Sequence, residues 1–243
     1  IKHYWAQREG IDPRNVFSVS IMPCTAKKFE AGRPEMLHDG IPDIDAVLTT
    51  RELAQAIKTF GLDLASMSGE PADTPFGERS SAGKLFGASG GVMEAAVRTA
   101  HYLITGKELD LPKINAIRGL DGIKEASVNV AGTEVEVAVV SGLGNARKLL
   151  DQIVAGRNDL HFIEIMTCPG GCISGGGQPV HTDPEVLKAR MQALYNIDKD
   201  ATMRTSHSNP SIQRIYKEFL GEPGGHLSHE LLHTHYAERD VLR

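Results

Sequence analysis

The stretch EIMTCPGGCISGGGQP, residues 164–179, carries the strongest structural signal in the chain. It continues a short apolar strand predicted over residues 162–166 and passes into a loop that holds Cys168, Cys172 and five glycines. So many glycines allow the backbone to pass close to a bulky ligand, and its N–H groups can then donate to cluster sulfides. The stretch therefore predicts a ligand-binding loop that leaves the end of a β-strand.

A second cysteine loop lies in the same kind of position. The apolar residues 16–21 (VFSVSI) predict a buried strand that runs directly into MPCTAKKFE, residues 22–30, which contains Cys24. In open α/β sheets, ligands gather at the carboxyl ends of the strands. We therefore expect both cysteine loops to face one site and the three sulfurs to lie about 6–7 Å apart, as the ligands of an iron–sulfur cubane do.

The rest of the chain alternates predicted strands and helices. A helix over residues 2–9 should stop at Gly10, and Thr49 and Glu52 form a capping box that opens a helix after a strand at 46–49. The first half of the chain should continue with a loop at 61–83 and a glycine-rich turn at 86–91 that enters a helix. The second half should contain a hairpin of 126–130 with 134–140 and a helix over 146–154. Further helices should start at 182–185 and at 209–210, and a last short helix should be capped by Ser228. This order predicts an α/β fold in which a layered sheet is flanked by helices.

The composition disfavours several classes of partner and of structure. A net charge of −5 favours neither nucleic acid nor a membrane surface as a partner. No apolar run approaches the roughly 20 residues of a membrane span. The three cysteines are odd in number and sparse, which disfavours a disulfide scaffold.

The cysteine spacing favours an iron–sulfur cluster but leaves two alternatives open. Cys168 and Cys172 are spaced C-x₃-C, whereas zinc sites usually use tighter C-x₂-C pairs and four ligands. A 4Fe–4S cluster also needs a fourth thiolate, which another segment or chain would have to supply. Zinc and inert cysteines therefore remain possible on spacing alone.

The motifs that surround the cysteines resemble those of one protein family. MPCTAKKFE (22–30) and EIMTCPGGCISGGGQP (164–179) are similar to the second and third signature motifs of the iron-only (FeFe) hydrogenases. The similarity extends to FGASGGVMEAA (86–96) and to SHELLHTHY (228–236), so it covers essentially the whole chain. Diverged relatives without hydrogenase activity usually depart from the MPCxxKxxE pattern, which this chain keeps.

The resemblance implies a cofactor and a role for each matching residue. The family carries an H-cluster, which is a 4Fe–4S cluster bridged through one cysteine to a two-iron subcluster with CO, cyanide and a dithiolate bridge. Cys24 and Cys168 match ligands of the 4Fe–4S cluster, and Cys172 matches the bridging cysteine. Lys27 matches a lysine that donates to a cyanide ligand, and Glu30 a glutamate that can pair with a nearby cation. The apolar walls of the two-iron unit match Met22, Met166 and Phe86.

The resemblance also implies that residues 1–243 form the C-terminal portion of the catalytic domain. We expect the N-terminal lobe, with the first cysteine motif and the proton-relay residues, to lie upstream of Ile1. The implied activity is reversible oxidation of H₂, although the 243 residues alone should be inactive. The implied partners are the N-terminal lobe and electron-transfer domains or subunits of a ferredoxin-like or NAD(P)-linked kind, and the expected location is cytoplasmic. The alternative is a non-catalytic iron–sulfur sensor or assembly protein of the same superfamily.

Two further motifs have simpler explanations. His229-Glu230-Leu231-Leu232-His233 is a literal HExxH, as in zinc peptidases, but His235 is too close and Glu238 too weak a candidate to complete the ligand set. The glycines of SGLGN (141–145) resemble a dinucleotide fingerprint without its third glycine, so a tight strand-to-helix turn is favoured. Gly90 and Gly91 are expected to serve close packing rather than anion binding.

Overall fold

Three small β-sheets and nine α-helices are found in the part of the chain that the structure, a computed structural model, describes: residues 1–109, 116–130, 132–180 and 183–238. The strands are β1 (Val19–Met22), β2 (Leu37–His38), β3 (Ile41–Pro42), β4 (Ala46–Thr49), β5 (Ile123–Val130), β6 (Thr133–Ser141) and β7 (Phe162–Met166). The helices are α1 (Lys2–Glu9), α2 (Ala26–Ala31), α3 (Thr50–Thr59), α4 (Ser81–Leu85), α5 (Gly91–Thr105), α6 (Leu143–Val154), α7 (Pro184–Asp200), α8 (Pro210–Ile215) and α9 (His226–Leu232).

The largest sheet has the strand order β5-β6-β7 and carries helices on both faces. β5 and β6 form an antiparallel hairpin, and β7 pairs parallel to β6 after the crossover helix α6. Val137 and Val139 of β6 pack with Met93 and Val97 of α5, on one face of the sheet. The alternate residues of β6 point the other way because side chains along a strand have a period of two. These are Ala138 and Val140, which pack with Ala146 and Leu149 of α6. The predicted layered α/β architecture is therefore confirmed.

The two strands that lead into the cysteine loops belong to different sheets. β1 pairs in parallel with β4 alone, with Met22 opposite Thr49, whereas β7 is the edge of the three-stranded sheet. β2 and β3 form a separate short antiparallel pair. The cysteine loops thus leave the ends of two sheets rather than of one.

Three helix ends lie where the sequence predicts them, and each has a local cause. Gly10 ends α1 with a left-handed backbone conformation. Thr49 and Glu52 form the predicted capping box of α3, and the backbone N–H of Thr49 together with Lys28 lowers the pKa of Glu52 to about 2. The start predicted at 182–185 is realised by Asp183, whose side chain accepts from the N–H of Glu185, while residue 182 lies outside the described residues.

Four predicted boundaries were wrong. The strand predicted at 16–21 is observed at Val19–Met22, and the region predicted as a loop to residue 83 contains α4 from Ser81. The hairpin strands are longer than predicted, and residue 131 of the turn lies outside the described part of the chain. Ser228 does not cap α9, which starts at His226. Ser228 lies within this helix instead, and its hydroxyl donates to the carbonyl of Glu222.

Helix α7 is held to α4 and α5 by a buried ionic network. Asp198 of α7 is 1% exposed and accepts from Arg98 of α5 at 2.7 Å and from Ser81 of α4 at 2.6 Å. Arg98 also pairs with Glu94, and Arg204 donates to Asp198 at 2.6 Å. Within the described residues, no helix is both long enough and apolar enough to cross a membrane.

Candidate metal centre

The two cysteine loops touch although their strands lie in different sheets. The N–H of Gly177, in the second loop, donates to the carbonyl of Pro23 in the first at 3.0 Å. A Cβ on Gly175 would collide with the carbonyl of Pro23, and one on Gly177 would lie 2.9 Å from the backbone nitrogen of Cys24. We expected these glycines to make room for a ligand; in the structure Gly175 and Gly177 make room for the backbone of the other cysteine loop.

A third segment, the glycine-rich turn at 86–91, packs against the second cysteine loop. The N–H of Ser89 donates to the carbonyl of Gly170, and the N–H of Ile173 donates to the carbonyl of Gly87, both at 3.0 Å. Gly171 has a φ of 95° and a ψ of −163°, a conformation that is essentially restricted to glycine. Its backbone fits against this turn because a Cβ would lie 2.6 Å from the nitrogen of Ser89. The residues on both sides of Cys172 are therefore held against the turn at 86–91.

The three thiols are free and act on one another electrostatically. Cys24 and Cys168 are half-buried and Cys172 is exposed. Although Cys172 is exposed as a residue, its sulfur is partly shielded from water, and this raises the pKa of the thiol; the charges of Cys168 and Cys24 raise it further, and Lys27 opposes the rise. A cation at the site would relieve the repulsion between three thiolates, since metals bind the deprotonated form.

The donor set fits a cluster better than a single ion. Over the described ranges of the chain, no three Cys, His, Asp or Glu side chains converge tightly enough to hold one metal ion. A zinc ion would draw its thiolates to about 2.3 Å from a single centre, whereas a cubane spreads them over several ångströms. The donors from the two loops are three thiols, so a fourth ligand would have to come from elsewhere.

Lys27 lies at the start of α2 and forms an ion pair. Its Nζ donates to both carboxylate oxygens of Glu30 at 2.6 Å, and its side chain is 44% exposed. The two residues also line a small cavity of about 50 Å³ together with Ser20 and Val47. Because an ammonium carries three donors, this pairing leaves Lys27 able to donate to a further acceptor.

The three residues that are expected to wall the two-iron unit lie in or beside the segments that carry the thiols. Met22 is the last residue of β1 and Met166 the last residue of β7, so each directly precedes a cysteine loop, and both are half-buried. Phe86 begins the turn that packs on the second loop and is 45% exposed. The structure thus places all three next to the thiol-bearing segments.

Two polar groups near the site were missed by the sequence analysis. Glu164 lies in the middle of β7, is 6% exposed, and accepts from the N–H groups of Gly90 at 2.6 Å and Met93 at 2.7 Å. Arg190 of α7 donates to the carbonyl of Ile173, next to Cys172, at 2.9 Å. A carboxylate inside the apolar strand FIEIM was the available signal for Glu164, whereas nothing local marks Arg190.

The HExxH motif does not form a peptidase site in the structure. Helix α9 ends at Leu232, so His233 lies beyond it and the two rings of His229 and His233 meet edge to face, with centroids 4.5 Å apart. Glu230 lies 3.9 Å from His226, and the carbonyl of His235 accepts from Arg33. Within the described residues, no third Cys, His, Asp or Glu side chain joins the two histidines, so the ligand set of a zinc peptidase is incomplete.

The SGLGN turn is the predicted tight turn, although it belongs to a βαβ unit that the sequence analysis did not find. β6, α6 and β7 form this unit, and the side chain of Asn145 closes its first turn by donating to the carbonyl of Ser141 at 2.9 Å. β7 ends at Met166 without an acidic residue, and Glu164 is engaged by α5. The unit therefore lacks the carboxylate that would bind a ribose. Gly91 serves close packing as expected, since a Cβ there would collide with the carbonyl of Leu85.

Comparisons with known proteins agree with this geometry. The chain is 48% identical over 99% of its length to the NADP-reducing hydrogenase subunit HndD of Solidesulfovibrio fructosivorans, and it covers 41% of that protein. It is 53% identical to the periplasmic [Fe] hydrogenase large subunit of Nitratidesulfovibrio vulgaris over 77% of this chain and 44% of the relative. The chain thus spans about two fifths of the length of these two curated relatives.

A solved structure shows the same fold. The [FeFe]-hydrogenase HydA1 from Chlamydomonas reinhardtii superposes with a TM-score of 0.81 at 43% identity, over 97% of this chain and 66% of that one. A relative with a different role in its name is more distant: the cytosolic Fe-S cluster assembly factor narfl of Xenopus tropicalis is 27% identical over 97% of this chain and 50% of the relative.

Family profiles cover nearly all of the chain. The profile described as iron hydrogenase small subunit matches residues 184–239, which include α7, α8 and α9. The profile described as iron only hydrogenase large subunit, C-terminal domain, matches residues 1–176, which contain all three cysteines and more than half of the chain. The chain therefore belongs to the iron-only hydrogenase family that is defined by the C-terminal domain of the large subunit.

Proposed function

We propose that this chain supplies three of the cysteine ligands of an H-cluster in an iron-only hydrogenase, which interconverts H₂ with protons and electrons. The contact of the two cysteine loops carries the proposal. It brings Cys24 from one sheet to Cys168 and Cys172 from another, close enough for the charges of the first two to act on the pKa of the third. The greater identity to hydrogenases than to the cytosolic Fe-S cluster assembly factor narfl favours an enzyme over an assembly factor.

Each residue has a distinct task in this proposal. Cys24, Cys168 and Cys172 would hold the H-cluster, with Cys24 and Cys168 as ligands of its 4Fe–4S part and Cys172 as the ligand nearest its two-iron part. When bound, the H-cluster polarises H₂ and takes up the electrons, chemistry that belongs to the cofactor. Met22 and Met166, at the ends of the two strands, exclude water from the two-iron side.

Phe86 and Lys27 complete the protein's contribution. Phe86 covers the site from the turn at 86–91, and Lys27 donates a charge-assisted hydrogen bond to an anionic ligand. Glu30 holds the ammonium of Lys27 in place, because both of its carboxylate oxygens accept from Lys27. The raised pKa of Cys172 means that cluster binding must displace a proton from that thiol, so uptake should be faster at alkaline pH.

Several features of the complete enzyme lie outside these 243 residues and belong to the same proposal. A fourth thiolate, the proton relay and the other wall of the pocket are supplied by the N-terminal lobe. This lobe covers an exposed apolar surface on and just before β1. The surface is formed by Phe17, Val19 and Ile21, which are 73%, 49% and 51% exposed. Electron partners are of a ferredoxin-like or NAD(P)-linked kind, and the enzyme is cytoplasmic, which cell fractionation would test.

The test is stepwise anaerobic reconstitution. Iron and sulfide, with an added thiol as fourth ligand, should give a cubane on the chain, and Cys24→Ser should reduce its yield. The N-terminal lobe and a synthetic two-iron complex should then give CO and cyanide infrared bands and H₂ evolution with reduced viologen. The 243 residues alone should evolve none. A cubane without uptake of the two-iron complex in the presence of the lobe would favour the sensor alternative.

A further inference from the structure

A buried carboxylate joins the second cysteine loop to the helix behind it. Glu164 precedes Cys168 by four residues on β7, and its two oxygens accept separately from the N–H groups of Gly90 and Met93. These N–H groups belong to the N-cap and the first turn of the 15-residue helix α5, where they have no partner within the helix. The negative charge also lies at the positive end of the helix dipole. Glu164 therefore fixes the point at which the turn at 86–91 enters α5.

A buried lysine secures the same turn from the other side. Lys124 of β5 is 6% exposed and donates to the carbonyl of Ser89 at 3.1 Å and to that of Gly119 at 2.9 Å. Burial lowers the pKa of Lys124, and the charge of Glu164 works against that shift. The turn is thus held between a carboxylate on its N–H groups and an ammonium on a carbonyl, with little freedom to shift.

The turn in its own right holds the loop that carries Cys172. Its backbone exchanges two hydrogen bonds with that loop, from Ser89 to Gly170 and from Ile173 to Gly87. The second of these acts on the residue directly after Cys172. Glu164 therefore acts on the bridging thiol indirectly. Its side chain binds backbone N–H groups at the start of α5, and the turn that leads into α5 binds the loop that carries Cys172. No direct contact between the carboxylate and the thiol is required.

We infer that Glu164 is a positioning residue for Cys172: through the turn at 86–91 it sets where the thiol points. The effect on cluster binding rests on the proposed function, because only a chain that binds a cluster would hold it poorly when Cys172 is displaced. The structural part of the inference can be tested without any cluster. Outer ligand-supporting groups typically change metal affinity by about 10–100-fold when removed.

The first experiment uses the cluster-free chain and compares Glu164→Gln with Asp198→Asn. Both substitutions remove a buried charge, but Asp198 accepts from Ser81 of α4 and Arg98 of α5 rather than from the turn or the cysteine loop. Hydrogen exchange of the Ser89 and Ile173 amides should become about tenfold faster or more in Glu164→Gln, because a charge-assisted bond is lost. In Asp198→Asn these two amides should be accelerated no more than slowly exchanging amides elsewhere in the fold, because that substitution lowers the stability of the whole chain. Unchanged exchange of the two amides in Glu164→Gln, or an acceleration there no greater than that of other slowly exchanging amides, would overturn the inference.

The second experiment uses the reconstituted chain. Glu164→Gln should lose half of its iron at about a tenfold lower chelator concentration than the parent, with an altered electron paramagnetic resonance spectrum of the reduced cubane. Asp198→Asn should keep the parent spectrum. If Glu164→Gln does not fold, Glu164→Asp takes its place in both experiments, since its shorter side chain cannot reach both N–H groups; parent-like exchange in that variant also overturns the inference. A parent chain that takes up no iron contradicts the proposed function, while the exchange result still decides the role of Glu164.

Discussion

Replacing Gly171 by alanine should displace the second cysteine loop at a cost that can be worked out from its neighbours. The backbone conformation at Gly171, with φ 95° and ψ −163°, costs a residue with a side chain about 1–3 kcal/mol. The new Cβ would also lie 2.6 Å from the nitrogen of Ser89 and 2.9 Å from the carbonyl carbon of Ala88, so backbone has to move.

The movement would break the two hydrogen bonds between the loop and the turn at 86–91. Each contributes about 0.5–1.5 kcal/mol net. Together with the conformational cost, Gly171→Ala should lower the free energy of unfolding by about 2–6 kcal/mol. For a chain of this size each kcal/mol corresponds to about 2–4 °C in the melting temperature, so we expect a decrease on the order of 10 °C.

Gly156→Ala is the matched control. Gly156 also has a positive φ, of 107°, but a Cβ there would meet nothing within 4 Å. It should therefore cost only the conformational part, about 1–2 kcal/mol. Thermal and urea unfolding of the two variants would measure the difference, and iron uptake would measure its effect on the site. Equal destabilisation by the two substitutions would refute the claim that Gly171 is required by close backbone packing.

Three further predictions address the ionic network, the histidines and the lysine. Asp198→Asn should lower the free energy of unfolding at pH 7 by about 3–5 kcal/mol in urea titrations, because it leaves Arg98 buried with one partner fewer. Hydrogen bonds from Arg98, Ser81 and Arg204 outweigh burial and lower the pKa of Asp198. Its contribution is thus present above the unfolded-state value of about 3.9 and is lost as the pH falls through the folded-state value. The parent should lose stability on acidification below that point more steeply than Asp198→Asn does, and parallel acid limbs would contradict this. His229→Ala should leave the zinc content of the purified chain unchanged in elemental analysis, whereas a full equivalent of zinc that disappears with the substitution would restore the peptidase interpretation. Lys27→Met should cost under about 1 kcal/mol, because its pair with Glu30 is exposed. In the fully loaded enzyme it should shift the cyanide infrared bands, and unshifted bands would remove Lys27 from the site.

The local features of the chain were predictable because their causes lie within a few residues. The capping box at Thr49 and Glu52, the strand Phe162–Met166 and the turn of SGLGN all depend on neighbours in sequence, and each is observed. The cysteine motifs were recognisable for the same reason, since ligands supplied by one loop require a fixed spacing.

The features that were missed depend on partners far away in the chain. Glu164 bonds to groups 71 and 74 residues away, and Asp198 bonds to Arg98 at a separation of 100 residues. The period of an isolated strand or helix does not indicate such partners. The glycines of the second cysteine loop illustrate the same limit: their number showed that something passes close by, but only the fold shows that Pro23 and Ser89 do so.

The most direct test of the central claim is the iron content and spectrum of the anaerobically reconstituted chain and its three single Cys→Ser variants at positions 24, 168 and 172. The account predicts about four irons per parent chain, with Mössbauer and absorption spectra of a 4Fe–4S cluster, and a clear loss of iron in every variant. A parent chain that binds zinc in preference to iron, or a cluster that survives Cys24→Ser unchanged, would contradict the claim that the two loops form one cluster site.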